Sequence, residues 1–188
     1  MILNELTAEH PDVARVIKLY DESFPESERV VPMDVIVTLL DSRPITLLGI
    51  YPDDEPDVFA GFFLMYEWEA FAYLWFFATC PEMRSKGIGS KAMQALKERY
   101  GDKAIVFDYE SVFEECDNMA QRERRRAFYL RNGYLETGWF VRANGVELIV
   151  ASSKEDFDIN DYVAMLEEWA KDAPDSAEGV EMPEIYRR

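Results

Sequence analysis

The chain has 188 residues, and its 37 acidic and 20 basic side chains give a formal charge of −17. This balance argues against a nucleic-acid partner, because phosphate backbones bind cationic surfaces. No apolar run approaches the roughly 18 residues that a membrane span needs, and the first residues lack a secretory pattern. We therefore expect a cytoplasmic protein with no membrane partner, whose two cysteines are reduced thiols.

The first half of the chain predicts one short strand, two helices and then three strands in succession. Short turns join the last three strands, which implies antiparallel pairing because a parallel crossover needs a dozen residues or more. The predicted elements are a strand at Ile2–Leu6, helices from Pro11 and at Val35–Leu40, and strands at Ile45–Tyr51, Val58–Tyr66 and Phe71–Thr79.

The second half predicts alternating helices and strands, followed by a helical extension. Apolar residues from Ile159 to Ala170 recur at helical spacing, which predicts an amphipathic helix at about 157–171. Beyond Asp172 the polar, acidic composition predicts little regular structure. The other predicted elements are a helix at about 87–100, a strand at Ala104–Tyr109, a helix at about 118–131 closed by Gly133, and strands at Tyr134–Val141 and Val146–Ala151 around an Asn144-Gly145 turn.

This order of elements predicts an α/β (α+β) fold. We expect a single domain over residues 1–153, with a mixed sheet of six to seven strands and helices on both faces. Its N-terminal strands would be antiparallel, and a central β-α-β unit would carry the site. Residues 154–188 would form an acidic C-terminal extension.

The segment RSKGIGSKA, Arg84–Ala92, has the features of a phosphate-binding loop. Glycine lets the backbone approach phosphate oxygens closely, and the amides at a helix N-terminus have no partner within the helix. Arg84 and Lys86 add positive charge. The loop therefore predicts a site for a phosphorylated cofactor.

A nicotinamide dinucleotide is one alternative for that cofactor. GIGSKA fits the pattern G-x-G-x-x-A, and Asp108, 21 residues after Gly87, stands where a ribose-binding acid is expected. However, PEMRSK separates the preceding strand from the glycines, and antiparallel strands come before it. Both features disfavour a dinucleotide-binding fold. The pattern G-x-x-x-x-G-K-[ST] of a P-loop is absent.

Two motifs together point elsewhere. Arg84-x-x-Gly87-x-Gly89 resembles the Q/R-x-x-G-x-G/A motif of the GNAT N-acetyltransferase superfamily. About 40 residues on, FYLRNGY, Phe128–Tyr134, resembles that family's second signature, F-Y-x-x-x-G-F/Y. The order of elements over about Met1–Ser153 matches as well, so the chain resembles this family along most of its length.

The resemblance implies a site for acetyl-CoA. Backbone groups of Phe77, Ala78 and Thr79 would pair with the pantetheine amides. Asn118 would contact the same arm or, equally, cap its helix. The pyrophosphate would lie on the loop formed by Arg84, Ser85, Lys86, Gly87, Ile88, Gly89 and Ser90.

The resemblance also implies the catalytic groups. Tyr129 would lie near the coenzyme sulfur and act as the acid, since a phenol is protonated at neutral pH. Glu110, at the end of the 104–109 strand, is the first candidate for the base, directly or through water, and Glu67 and Glu69 are the second. A histidine base or a metal site is not expected, because His10 is the single histidine.

For three further residue groups the first interpretation is structural, by packing or charge pairing. Cys80 lacks an activating neighbour, so we expect it to pack rather than react. Arg122, Arg124, Arg125 and Arg126 lie close to several acids in sequence, which favours charge pairing on a solvated helix, although one could contact the coenzyme's 3′-phosphate. Core packing is the first interpretation of Met33, Met65, Tyr66, Trp68 and Trp75, and lining of the acceptor side is the second.

The predicted function is transfer of an acetyl group from acetyl-CoA to a primary amine, by direct attack in a ternary complex. The acceptor would be a small molecule or a peptide, and the acidic balance favours a cationic one such as a polyamine or an aminoglycoside-like amine. The alternative is a non-catalytic acyl-CoA-binding or protein-interaction module on the same fold. The sequence is compatible with a homodimer.

Overall fold

A computed structural model of the chain gives the fold. Its residues group into two compact units, Met1–Gly101 and Asp102–Arg188. Ser85, which was predicted in the phosphate loop, and Asn144, which was predicted in a turn, lie outside the described residues. The structure describes residues 1–25, 29, 31–84, 86–143, 145–172 and 182–188.

The first unit contains a four-stranded antiparallel sheet with strand order β1-β2-β3-β4. The antiparallel pairing predicted from the short turns is therefore confirmed. Its strands are β1 (Ile2–Glu5), β2 (Ile45–Tyr51), β3 (Gly61–Glu67) and β4 (Phe71–Thr79). Its helices are α1 (Val13–Ser23), α2 (Met33–Thr38), a short 3-10 helix (Pro81–Met83) and α3 (Ile88–Tyr100).

The core of this unit is apolar almost throughout. Strand β3 is buried along six of its seven residues, and helix α3 buries an apolar stripe with helical spacing. Met33, Met65 and Tyr66 lie in this core, as their first interpretation predicted. The stripe of α3 consists of Ile88, Ala92, Met93 and Leu96.

Strand β3 begins at Gly61, three residues later than predicted, and this glycine has a packing role. A Cβ atom placed on Gly61 would lie 2.3 Å from the carbonyl oxygen of Ala78 and 2.9 Å from the Cα of Thr79. No real side chain tolerates such distances, so glycine is what allows β3 to approach the end of β4 this closely.

The second unit contains four strands in the order β5-β7-β6-β8. Antiparallel pairing joins β5 to β7, β7 to β6 and β6 to β8. Its strands are β5 (Ala104–Glu110), β6 (Leu135–Ala143), β7 (Val146–Ser152) and β8 (Glu184–Arg187), and its helices are α4 (Met119–Arg131) and α5 (Ile159–Asp172). The predicted α/β class and the helix of the extension are confirmed.

The extension corrects one prediction. Residues beyond Asp172 were expected to have little regular structure, yet Glu184–Arg187 pairs with β6. It is the eighth strand among the described residues, where six to seven were predicted. The Tyr186 hydroxyl donates to the buried carboxylate of Glu147 at 2.5 Å, and its ring stacks on Phe140. These contacts fix a segment too short and too polar to be recognised from its own sequence.

Candidate active site

The glycine loop leads into helix α3 of the first unit. Gly87 occupies the cap position of the helix with φ 76°, a left-handed conformation that favours glycine, and a Cβ atom there would meet nothing within 4 Å. The amides of Ile88, Gly89 and Ser90 follow in the first turn, where helix amides have no partner within the helix. Lys86 is exposed. The loop thus offers open space beside unpaired donors, which is what an anionic group requires.

Ile88 contributes to this loop through its backbone alone. Its side chain is buried as the first residue of the α3 stripe. The Arg84 side chain turns back and donates from Nε to the carbonyl oxygen of Thr79 at 3.4 Å. The residue that starts the loop and the last residue of β4 are therefore in direct contact.

The three β4 residues predicted to pair with pantetheine form the end of that strand. Ala78 is buried, whereas Phe77 and Thr79 on the opposite face are half-buried, and Phe77 stacks on Phe63 at 4.6 Å between ring centroids. Upstream, the β3–β4 register shifts between Leu64, which pairs with Phe76, and Met65, which pairs with Leu74. Such a bulge re-aims backbone groups and is frequent next to active sites.

Tyr129 lies on α4 with its ring among aromatic residues. Its ring centroid is 4.4 Å from that of Phe107 and 5.1 Å from that of Tyr109, both on β5. Among the described residues, no group forms a hydrogen bond with its hydroxyl. Burial raises the pKa of Tyr129 to about 12, although the positive charge of Arg125 acts in the opposite direction. The phenol is protonated at neutral pH and is able to donate.

Glu110, the first candidate for the base, is held by two arginines. Its Oε1 lies 2.8 Å from Nη2 of Arg122 and its Oε2 lies 2.7 Å from Nη1 of Arg125. Asn118 Nδ2 also donates to Oε1, at 3.3 Å. Both carboxylate oxygens of Glu110 are therefore occupied by side chains of α4 and of its cap residue.

Asn118 stands at the cap position of α4, as one of its two interpretations predicted, but its side chain makes no capping hydrogen bond. Instead it bridges Glu110 and Arg122, accepting from Arg122 Nε at 2.8 Å. The expected pairing of arginines with acids nearby on the helix surface is likewise corrected. Arg122 and Arg125 reach to β5, and Arg126 reaches to β6.

Glu136 is a further candidate that no sequence pattern predicted. It lies on β6, accepts two hydrogen bonds from Arg126 at 2.6 and 2.9 Å, and accepts one from the Tyr109 hydroxyl at 2.7 Å. The Arg126 guanidinium holds the pKa of Glu136 below its usual range. The signal was absent from the sequence because the three partners come from three separate elements.

The remaining candidates each have a different environment. Glu67 accepts a 2.5 Å hydrogen bond from the Tyr100 hydroxyl, whereas Glu69 is exposed. Cys80 is buried, and burial raises the pKa of its thiol, as expected of a packing residue. Asp108, which could have bound a ribose, accepts a 2.7 Å hydrogen bond from Tyr162 of α5.

The residues that the structure describes contain no metal-binding cluster and no membrane-spanning helix. Within that part of the chain, no group of three or more histidine, cysteine or acidic side chains is arranged to hold a metal ion. None of the helices it contains combines the length and apolar character that a bilayer crossing requires.

Comparison with known proteins places this geometry in a family. Residues 13–134 match the model of the acetyltransferase (GNAT) family. The match spans well over half of the chain and includes both signature motifs, so the chain belongs to the GNAT family. No curated protein sequence matches it.

Solved structures share the fold at low identity. A GNAT-family protein from Bacteroides thetaiotaomicron matches with a TM-score of 0.71 and 22% identity, over 91% of this chain and 97% of its own. An aminoglycoside 6′-N-acetyltransferase complexed with coenzyme A matches with a TM-score of 0.59 and 17% identity, over 84% and 100%. A spermidine N-acetyltransferase from Vibrio cholerae matches with a TM-score of 0.57 and 15% identity, over 81% and 94%.

Proposed function

We propose that the protein transfers an acetyl group from acetyl-CoA to a primary amine of a polycationic small molecule. The observation that carries this proposal is the environment of the Tyr129 side chain. Its ring is fixed by two aromatic residues of β5, and its hydroxyl has no partner among the described residues. An acid poised in this way, in a family whose solved members include a coenzyme A complex, fits a role beside the thioester sulfur.

Coenzyme binding is assigned to the loop and to the end of β4. The pyrophosphate would be held by the amides of Gly87, Ile88, Gly89 and Ser90, where the open space at Gly87 leaves room for its oxygens. The pantetheine amides would pair with the backbone of Phe77–Thr79, in the manner of an added strand. Lys86 would supply positive charge at the loop.

The reaction is a direct attack of the neutral amine on the thioester carbonyl carbon. The C–N bond forms, the tetrahedral intermediate collapses, and the C–S bond breaks to release the coenzyme. The Tyr129 hydroxyl donates to the departing sulfur and stabilises its negative charge. A thiol has a reference pKa near 8.5, below that of Tyr129, so hydrogen-bond donation precedes any complete proton transfer.

The amine must lose a proton before or during this attack. Because both Glu110 oxygens are engaged by guanidinium groups, we propose that an ordered water relay, rather than direct contact with Glu110, takes that proton. An amine with several positive charges lowers the cost of this step, since neighbouring charges favour loss of one proton.

A polycationic acceptor is supported by charge and by the relatives. The formal charge of −17 attracts cations over long range. Two of the structural relatives are named for aminoglycosides and spermidine, which both carry several amino groups. Both observations favour a multiply charged amine over a neutral one.

The test is a thiol-release assay with acetyl-CoA and a panel of spermidine, aminoglycosides, basic peptides and monoamines. We expect release above background with one or more polyamines and acetylated product in the mass spectrum. Acetyl-CoA binding with no release for any amine would contradict the proposal and indicate a binding module. Turnover confined to monoamines would contradict the acceptor class alone.

A further inference from the structure

Helix α4, which carries Tyr129, is attached to its unit in an unusual way. All thirteen of its residues are described, and none is fully buried. A helix normally stays in place by burying an apolar stripe. Something other than aliphatic packing must therefore hold this one.

Three arginines on one face supply the attachment. Counted from Arg122, three further residues follow at three, four and seven positions: Arg125, Arg126 and Tyr129. All four side chains therefore share a face of the helix. Arg122 and Arg125 each contact one oxygen of Glu110 on β5, and Arg126 makes a two-pronged pair with Glu136 on β6. The face that presents the tyrosine is thus the face that the ion pairs fix.

The Glu110–Arg122 pair is shielded from solvent, whereas Arg125 in the second pair is 31% exposed. The side chains of Glu110 and Arg122 are each only 11% exposed, whereas surface pairs that contribute little are open to water. Arg122 Nη1 also donates to the carbonyl oxygen of Ser111 at 3.0 Å. Breaking such a pair leaves a partly buried charge without its partner, which costs more than the pair itself contributes.

We propose that Glu110 is a positioning residue, which through Arg122 and Arg125 holds α4 on β5 and so sets the place of the Tyr129 hydroxyl. The inference rests on the proposed function for its catalytic consequence. Glu110 is adjacent in sequence to Tyr109, whose ring contacts Tyr129 at 5.1 Å, so the clamp and the aromatic contact act on neighbouring residues of one strand. A small displacement of a reacting group is enough to slow a reaction tenfold or more.

The chain offers a matched control on the same helix. Arg124 is exposed and has no ion-pair partner among the described residues. Arg125→Gln and Arg124→Gln therefore remove the same charge from adjacent positions, and only the first breaks the clamp. Arg125→Lys keeps the charge but loses the planar fork of the guanidinium.

Steady-state kinetics with acetyl-CoA and the best polyamine test the proposal. We expect Glu110→Gln and Arg125→Gln each to lower kcat about tenfold, with the KM for acetyl-CoA changed by less than about threefold. The double variant should be no worse than either single variant, because both break the same contact. Arg124→Gln should stay within about twofold of the wild type.

A base role for Glu110 predicts a different pattern. If Glu110 itself took the proton, Arg125→Gln would leave the carboxylate in place and keep its kcat, while Glu110→Gln would lose about a hundredfold or more. That outcome would overturn the proposal. Equal kinetics for Arg125→Gln and Arg124→Gln would overturn it too.

A spectroscopic readout separates this inference from the proposed function. In tyrosine-labelled protein, the NMR ring resonances of Tyr129 and amide exchange along α4 need no turnover. We expect Arg125→Gln, relative to Arg124→Gln, to shift the Tyr129 ring resonances and to speed α4 exchange. If the wild type releases no thiol with any amine, the proposed function fails, yet these changes would still support the clamp. Unchanged α4 exchange would refute it.

Discussion

Helices α3 and α4 have the same length of thirteen residues but are held in opposite ways. Helix α3 follows the glycine loop and buries four apolar residues in the first unit. Helix α4 carries Tyr129 in the second unit, buries no residue completely, and is fixed by ion pairs to Glu110 and Glu136. One helix is anchored by area removed from water, and the other by oriented charges.

The two modes of attachment fit the role proposed for each helix. A loop that holds phosphates needs a rigid base, and apolar packing contains no charges for salt to screen and no groups that titrate. A helix that places a phenol oxygen needs a defined orientation, which charged groups with fixed geometry provide. The contrast predicts that the two helices respond differently to substitution, salt and acid.

The largest expected effect concerns the glycine at the start of α3. Gly87→Val should weaken coenzyme A binding about a thousandfold, equivalent to about 4 kcal/mol, because the side chain would fill the space assigned to the pyrophosphate. Gly101→Val is the matched control, since Gly101 ends the same helix with φ 56° and equally open surroundings. Calorimetric titration would measure both, and equal losses would refute the loop assignment.

The next effect separates the two anchoring modes. Leu96→Ala on α3 should lower the free energy of unfolding by about 3 kcal/mol, since Leu96 is completely buried. Leu130→Ala on α4 makes the same truncation at a side chain that is 42% exposed and should cost less than about 0.5 kcal/mol. Urea denaturation would compare them, and similar costs would contradict the account of α4.

Salt should weaken the attachment of α4 more than that of α3, whose Arg99–Glu5 ion pair to β1 is largely exposed. Raising the salt from 0.1 to 1 M shortens the Debye length from about 10 Å to about 3 Å, which weakens partly exposed ion pairs. We expect amide exchange in α4 to accelerate roughly twofold relative to α3, as loss of about 0.4 kcal/mol implies. Hydrogen-exchange mass spectrometry would measure this ratio, and a uniform response would count against ionic anchoring.

The smallest effect is acid loosening at Glu136. Its pKa in the folded state is depressed by Arg126, so its stabilising contribution is present above the ordinary value of 4.5 and is lost as the pH falls further. Glu136→Gln should therefore cost up to about 1 kcal/mol at pH 7 and progressively less below pH 4.5. Glu123→Gln, at an exposed α4 residue, is the control. Thermal unfolding across pH would show whether the two variants differ.

Much of the fold could be predicted from the sequence because apolar periodicity and glycine or proline boundaries are local signals. They gave β2 and β4 with their exact bounds and the helix of the extension nearly so. The two signature motifs gave the family. These signals depend on residues close together in the chain, which is why they survive without a structure.

The contacts that fix the candidate site could not be predicted in the same way. Strand β8 has four residues and gains its order from β6, far away in sequence. Arg122 and Arg125 have acids nearby in sequence, yet they pair with Glu110, and Asp108 is engaged by Tyr162 of the extension. Charge partners are chosen by the folded geometry, and composition alone leaves many equivalent choices.

The central claim is that Tyr129 assists acetyl transfer, and the turnover of Tyr129→Phe measures it most directly. Tyr134→Phe is the control, because Tyr134 is buried in the same aromatic cluster, with ring centroids 6.3 Å apart. With acetyl-CoA and a polyamine acceptor, we predict a roughly hundredfold lower kcat for Tyr129→Phe and a nearly normal kcat for Tyr134→Phe. Wild-type turnover in Tyr129→Phe would contradict the claim.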